Sequence, residues 1–177
     1  MKVAFLTSIY PTHVQLIYKQ HPDLANKSST EQEEFVNWHA LSSFVRWFKL
    51  LKANGYETCA FNKSLQEINL SWAKENHYSP NTNKPILEIG KERIRRFDPD
   101  IIFCFAPITY IKNGWMKALA EACSKPLKTI AWYGANQGEE DIFRNFDLTL
   151  SNSKHLVNQL RIKGIQSEFL QHSFDPI

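Results

Sequence analysis

The chain has 177 residues, 43% of them hydrophobic and including 12 Phe and 5 Trp, which suits one domain with a core of ordinary size. Its 21 basic and 18 acidic residues leave a net charge of +3 spread along the chain, so there is no basic stripe to track a nucleic-acid backbone, and nucleic acid is not an expected partner. Cys59, Cys104 and Cys123 are odd in number and far apart, and no stretch reads as a signal peptide or a membrane span, so buried thiols in a soluble cytoplasmic protein are expected.

Val3 to Leu6 is a short apolar run stopped by Tyr10-Pro11, which predicts a first strand buried on both faces. A polar stretch follows from His21 to Thr30. The spacing Thr30-x-x-Glu33 then predicts a capping box, opening a helix whose apolar positions Phe35, Trp38, Leu41, Val45 and Phe48 recur at three and four until Asn54-Gly55. Tyr56 to Phe61 reads as a second strand, and Ser64-x-x-Glu67 as a second capping box before a helix through Trp72 to Glu75. Tyr78 to Pro85 is a loop by composition, and Ile86, Leu87, Ile89 and Ile94 mark a helix ending before Phe97-Asp98-Pro99-Asp100. The strand Ile101 to Ala106, closed by Pro107, is the most uniformly apolar and predicts the middle of the sheet. A helix at Trp115 to Ala120, a strand at Leu127 to Tyr133, a loop at Gly134 to Gly138 and a short helix near Ile142-Phe143 follow. The last elements are a strand at Leu148 to Leu150, a helix from Ser153 to Lys163 ended by Gly164, and a sixth strand near Ser167 to Leu170.

This alternation predicts an α/β, Rossmann-like three-layer domain over 1–177, with a mostly parallel sheet of about six strands and helices on both faces. Ligands of such sheets bind at the carboxyl ends of the strands. The expected site loops are therefore Tyr10 to His13, Ala106 to Tyr110, Gly134 to Gly138 and Ser151 to Ser153.

Several chemistries are excluded by what these loops lack. No Gly-x-Gly-x-x-Gly follows the first strand, where Tyr10-Pro11-Thr12-His13 stands instead, so a dinucleotide dehydrogenase is not expected. No Walker lysine loop, Gly-x-Ser-x-Gly elbow or His-Glu-x-x-His occurs, and the six histidines have no metal-ligand spacing, so no metal is expected. His13, leaving the first strand, and His39, beside Trp38, are the candidates for a general base, though the sequence favours an exposed loop histidine at 13 and a helix-surface or satisfied core histidine at 39, with no chemical role. Phe35, Trp38, Phe44, Trp47 and Phe48 lie at helical spacing and are expected to be mostly core. In Gly134-Ala135-Asn136-Gln137-Gly138, small residues allow close backbone approach and the amides can bond sugar hydroxyls or phosphate. Ser151-Asn152-Ser153 reads as a helix N-cap by Ser151 or Ser153.

The segment Phe146-Asp147-Leu148-Thr149-Leu150-Ser151-Asn152-Ser153-Lys154-His155-Leu156-Val157, with Leu160, Gly164-Ile165 and Leu170 to Pro176, resembles a block of the two-domain GT-B glycosyltransferases, Phe174-Asp175-Pro176 standing where the chain would enter the second domain. Tyr10-Pro11, Leu24 to Ser28, Glu31-Gln32, Gly55-Tyr56-Glu57, Asn62, Gln66, Trp72 to Glu75 and Asp98-Pro99-Asp100 are similar to the N-terminal domain of the spore-maturation-type, CgeB-like glycosyltransferases. The resemblance implies the acceptor-side half of an enzyme that transfers a sugar from a nucleotide-sugar donor to a glycan or polysaccharide. It places Tyr10, Pro11, Thr12, His13, Ala106, Pro107, Gly134, Ala135, Asn136, Gln137 and Ser151 along the cleft. It also implies a donor-binding C-terminal domain as partner beyond Ile177 and no cofactor within this chain, so that 1–177 alone is expected to be inactive. Many GT-B enzymes carry a Gly-Gly loop after the first strand, and Tyr10-Pro11-Thr12 departs from it. The alternative is a non-catalytic α/β binding or regulatory module, in one form attached to a sugar-modifying methyltransferase.

Overall fold

The computed structural model describes residues 1–40, 42–135 and 140–171, and the side chains of 40–45 lie outside that description. Six strands form one sheet: β1 (Lys2–Thr7), β2 (Glu57–Asn62), β3 (Ile101–Cys104), β4 (Lys128–Trp132), β5 (Leu148–Ser151) and β6 (Ser167–Phe169). Every pairing is parallel, in the order β2-β1-β3-β4-β5-β6. β3, the most apolar run of the sequence, is interior as expected. The helices are α1 (Pro11–Gln20), α2 (Ser29–Ala40), α3 (Ser42–Ala53), α4 (Gln66–Glu75), α5 (Pro85–Phe97), α6 (Pro107–Lys112), α7 (Trp115–Glu121) and α8 (Lys154–Ile162), with 3-10 turns at Pro22–Asn26 and Glu140–Asn145. The fold is the expected α/β Rossmann-like architecture.

Alternation along each strand divides the core into two layers. Val3, Phe5 and Phe103 face α3, where Trp47, Phe48 and Leu51 meet them; the Trp47 ring stacks on Phe103 at 5.3 Å and Phe103 meets Phe5 edge-on at 5.7 Å. Ala4, Leu6, Ile102, Cys104 and Ala131 face the other way, against Ile94 of α5, Leu119 of α7 and Leu156 and Leu160 of α8. Each large aliphatic side chain buried here contributes about 1.5–3 kcal/mol relative to exposure. A third cluster, Ile9, Ile17, Leu24, Val36, Leu65 and Ile68, ties α1, α2 and α4 together beside the ends of β1 and β2.

The free edge of β2 is covered by side chains. Arg93 of α5 donates to the Ala60 carbonyl (3.0 Å) and to Asn69 Oδ1 (2.8 Å), and pairs with Glu33 of α2 at 2.5 Å. Asn69 donates in turn to the carbonyls of Asn62 and Leu65 at 2.9 and 2.8 Å. Strand carbonyls that would otherwise template a further strand are thereby occupied.

Several helix starts differ from the sequence reading. The first capping box is Ser28-x-x-Glu31: Ser28 N–H donates to Glu31 Oε2 (3.0 Å) and Glu31 N–H to Ser28 Oγ (3.3 Å), which leaves Thr30 inside α2 and Glu33 free for Arg93. Ser64 caps nothing; α4 begins after Leu65 without a side-chain cap, and the Ser64 hydroxyl is held by Ser8. Pro11 to His13, expected as loop, is the first turn of α1, and Pro107 opens α6; both prolines sit where a helix N–H lacks a partner anyway. Trp38, expected in the core, is 53% exposed with the Lys49 ammonium 3.7 Å from its ring centre. Leu41, and the side chains of Phe44 and Val45, lie outside the described residues. The left-handed stops at Gly55 (φ 82°) and Gly164 (φ 70°) are as expected.

Candidate functional site

In a parallel sheet of order 2-1-3-4-5-6 the chain leaves β1 toward one edge and returns to the other side of β1 as β3, and the crevice at that crossover lies at the carboxyl ends of β1 and β3. The segments that reach it are Ser8 to Tyr10 after β1, Lys63 to Leu65 after β2 and Phe105-Ala106 after β3. Tyr133 to Ala135 after β4 and Asn152-Ser153 after β5 continue the same rim.

One buried side chain locks the first three segments together. Tyr110 of α6 is fully buried, and its hydroxyl donates to the Thr7 carbonyl at 2.9 Å, lies 3.3 Å from the Phe61 carbonyl and accepts the Lys63 N–H at 3.4 Å. Burial raises its phenol well above the ordinary range, so it is a neutral donor. Ser8 and Ser64 share a hydroxyl hydrogen bond of 2.9 Å, and the Ile9 N–H reaches Ser64 Oγ at 3.4 Å. The Asn62 carboxamide folds forward so that its oxygen accepts the Ser64 N–H at 3.0 Å, an Asx-type turn that fixes which end of the amide is which.

The expected site residues fall into three groups. Tyr10 (75% exposed), Pro11, Thr12 and His13 stand on the surface at the start of α1, with the Tyr10 and His13 rings edge-on at 5.9 Å. Gly134 and Ala135 are exposed after β4 and Ala106 is half-buried after β3. Pro107 and Ser151 are buried and present no surface; Ser151 Oγ accepts the Ser153 N–H (3.0 Å), and the helix cap is Ser153, whose hydroxyl accepts from Leu156 N–H (3.3 Å). Asn136, Gln137 and Gly138 lie outside the described residues, as do Phe174, Asp175 and Pro176. His39 is not drawn to this rim by any described contact: its Nδ1 is 2.8 Å from the Phe35 carbonyl and its ring stacks on Phe35 at 4.0 Å, with His21 5.5 Å away.

Sequence reading missed Thr7, Asn62, Lys63, Ser64 and Tyr110. Thr7 and Asn62 are register partners on adjacent strands and fully buried, yet Thr7 Oγ1 and Asn62 Nδ2 have no hydrogen-bond partner. Such atoms are rare in a core and mark where water or a ligand atom belongs. The available signal was Asn62-Lys63-Ser64, a polar run directly after the apolar Cys59-Ala60-Phe61 and beside the first loop. Farther along the rim, Asn152 Oδ1 is also buried without a partner, 3.0 Å from where a side chain at Gly134 would begin.

The cysteines offer no nucleophile. Burial pushes the thiols of Cys59 and Cys104 up to about 12 and that of Cys123 up to about 11, so none is ionised at neutral pH. No cluster of metal-ligating side chains occurs among the described residues, and no described helix is long and apolar enough to cross a membrane. A shallow hollow between Lys117, Glu121 and Lys125 opens near the amino end of β4, away from the rim.

No family model matches the sequence, and no curated protein matches it significantly. Among solved structures it is similar to the lipopolysaccharide outer core galactosyltransferase WaaB in its apo form, with 12% sequence identity and a TM-score of 0.47. The similarity covers 98% of this chain and 46% of that one, so the chain spans about half the length of that protein.

Proposed function

We propose that this chain is the acceptor-side, N-terminal domain of a GT-B glycosyltransferase that moves a sugar from a nucleotide-sugar donor to a glycan acceptor. The observation that carries the reading is the polar rim at the β1/β3 crossover, where the segment after β1 leads from the Ser8–Ser64 hydroxyl pair to the exposed Tyr10 and His13 at the start of α1. Its opening turn is Tyr10-Pro11 rather than a glycine-rich pyrophosphate loop. A site of this kind suits hydroxyl-rich ligands: side-chain hydroxyls and an amide exchange hydrogen bonds with sugar hydroxyls, and an exposed tyrosine ring offers a stacking face.

In this reading His13, exposed in the first turn of α1 with its ring against Tyr10, is the candidate to take the proton of the attacking acceptor hydroxyl. The donor diphosphate needs cations or helix N-termini facing it across a cleft, which a second domain supplies. Residues 1–177 alone are therefore expected to fold and to transfer no sugar. The test is calorimetry on a chain extended by about 150–200 residues, a typical domain length, titrated with a panel of nucleotide sugars. Binding with a micromolar to millimolar constant supports the reading. Absence of binding by every member of the panel overturns it and favours a non-catalytic module.

A further inference from the structure

We propose that the Thr7 hydroxyl and the Asn62 side-chain amide form the closed inner end of the rim's site, a binding point for one uncharged O–H group, either a hydroxyl of the bound glycan or the water that stands in its place. The glycan half of the inference rests on the acceptor-side reading above, and the binding point itself does not.

Register brings the two groups together. Thr7 and Asn62 are paired across the parallel strands β1 and β2, neighbours about 4.8 Å apart. Thr7 continues the face of Val3 and Phe5, and Asn62 the face of Ala60, so both side chains project on the α3 side of the sheet. Both residues are fully buried, yet Thr7 Oγ1 and Asn62 Nδ2 bond neither each other nor any other group. The rest of the pair is held in place: the Thr7 carbonyl accepts the Tyr110 hydroxyl at 2.9 Å, the Asn62 carbonyl accepts Asn69 Nδ2 at 2.9 Å, and Asn62 Oδ1 accepts the Ser64 N–H at 3.0 Å. That last bond rules out the flipped amide, which would set Nδ2 against the Ser64 N–H. The other orphaned threonine hydroxyls have no such neighbour. Thr58 is paired with Val3, and Thr149 with Ala131 and with Ser167, whose own hydroxyl donates to the Val157 carbonyl.

One oxygen between the two strands completes both groups. It accepts a hydrogen from Asn62 Nδ2 and donates its own to Thr7 Oγ1, or accepts from both, as a water or an alcohol does. The placement of charge decides against an anion. Arg93 is committed to Glu33, Asn69 and the Ala60 carbonyl, and the Lys63 ammonium lies over the Tyr110 and Trp115 rings, which pack on the opposite face of the sheet. A carboxylate or phosphate buried at Thr7 would have no cation beside it, a cost that two neutral donors do not offset. Because both residues are fully buried, the oxygen meets them as a single water or as the tip of one hydroxyl, while the sugar ring that carries it stays at the rim.

The experiment joins thermal melts of the parent and Thr7→Val to NMR of the Asn62 side-chain amide in the parent, T7V and Thr7→Ser. The spectra are taken alone and with methyl glucoside, methyl galactoside and inorganic phosphate. With an O–H group bound between the strands, T7V removes one of its two partners and lowers the thermal midpoint by about 2 °C or more. A hydroxyl orphaned in a dry core gives the opposite sign, because valine removes an unsatisfied polar atom and keeps the shape. In the free parent the Asn62 amide protons are expected to show a cross-peak to water, which T7S retains and T7V weakens severalfold. A glycoside that abolishes this cross-peak and shifts the Asn62 amide names the ligand hydroxyl as the occupant, and a cross-peak indifferent to both glycosides names water. A midpoint that rises in T7V overturns the inference, as does a parent with neither a water cross-peak nor a glycoside shift at Asn62, or a shift there that phosphate alone produces. Should T7V fail to fold, absence of the cross-peak from both the parent and T7S overturns it. The two levels separate in the same spectra. Glycoside shifts at Tyr10 and Ala106 with nothing at Asn62 and no water cross-peak leave the acceptor-side reading standing without this binding point. A water cross-peak with no glycoside response anywhere on the rim supports the binding point and counts against the reading.

Discussion

The two ends of the sheet differ in how they use carboxylates. At the amino end, the Asp98 carboxylate takes the N–H and hydroxyl of Ser124 at 2.9 and 2.7 Å. Asp100 takes the Lys2 N–H at 2.6 Å and the Lys125 ammonium at 2.5 Å, and Asp147 takes Lys128 and both donors of Thr129. These bonds hold all three carboxyls below the usual carboxylate range, led by Ser124, Lys125 and Lys128 respectively. The carboxyl end has no carboxylate in its described loops and carries Thr7 Oγ1, Asn62 Nδ2 and Asn152 Oδ1 without partners. A satisfied polar network fixes strand ends in place, and an unsatisfied one is a place for a ligand. The contrast lies in the carboxylates, which anchor the amino ends alone, whereas unpartnered buried hydroxyls also occur early in their strands, at Thr58 of β2 and Thr149 of β5.

That contrast breaks most severely where the carboxyl half is itself held by a buried charge. Arg93→Met removes the partner of Glu33, whose side chain is 10% exposed, and uncovers the Ala60 carbonyl at the sheet edge. Stranding a buried carboxylate costs about 3–5 kcal/mol, and at about 2–4 °C per kcal/mol for a chain of this size the thermal midpoint falls by roughly 6–20 °C. The double change Glu33→Gln with Arg93→Met is expected to regain part of the loss in the same melt. A midpoint unchanged in R93M would mean that the β2 edge is held by other contacts.

Tyr110→Phe comes next. It deletes one hydroxyl that joins the ends of β1, β2 and α6. Leaving buried carbonyls without that donor costs about 1–3 kcal/mol. Because the same hydroxyl holds the Lys63 backbone at the rim, Y110F is also expected to weaken a ligand bound at the ends of β1 and β2, whereas an apolar truncation of the core such as Ile102→Val lowers the melting point without touching binding. Parallel melts and titrations separate the two.

Most of the fold was legible because parallel strands buried on both faces leave short apolar runs, and Ile101 to Ala106 and Val3 to Leu6 are such runs. Helix starts were harder. Thr30-x-x-Glu33 and Ser28-x-x-Glu31 have the same spacing, and the one used is settled by tertiary structure: Glu33 is needed by Arg93, sixty residues away. α1 was missed because one face only, at Val14, Ile17 and Tyr18, is covered, too few apolar positions to make a periodic signal. The end of the sheet was read correctly, but Pro11 to His13 and Pro107 to Tyr110 belong to helices rather than loops, and the inner wall was not foreseen. Tyr110 reads in sequence as one more aromatic residue, and only packing turns its hydroxyl toward Thr7 and Lys63. Trp38 shows the reverse failure, since helical spacing cannot tell an inward tryptophan from one exposed beneath a lysine.

The amino end yields a smaller, pH-dependent effect. A carboxyl whose folded pKa is lowered contributes stability above its unfolded value and loses it as pH falls through the folded one. Asp98, Asp100 and Asp147 share that sign. So does Glu92, which Arg95 and then Arg96 bring down to about 2. The thermal midpoint is expected to be flat from neutral pH to about pH 5 and to decline below it. Arg95 and Arg96 are largely exposed, so solvent screens the Glu92 pair and Glu92→Gln is expected to remove only about 0.5–1 kcal/mol at neutral pH and nothing near pH 2. A midpoint that rises on acidification would contradict the sign.

The smallest expected change in stability is the sharpest probe of the rim itself. A Cβ at Gly134 would stand 3.0 Å from Asn152 Oδ1, tighter than an ordinary contact, and the Gly134 backbone is not in the left-handed region. Gly134→Ala therefore gains about 0.4–1 kcal/mol from the unfolded chain and loses a similar amount by displacing the Asn152 carboxamide, leaving the melting point within about 2 °C of the parent. Because Asn152 is the unpartnered group at this part of the rim, its side-chain amide resonance should move although stability does not. Any ligand that reaches from β1 along the rim to β5 should then bind G134A less tightly, while one confined to β1 and β2 should bind it as it binds the parent. The extent of the ligand across the sheet is therefore read by comparing G134A with the parent in the same titration.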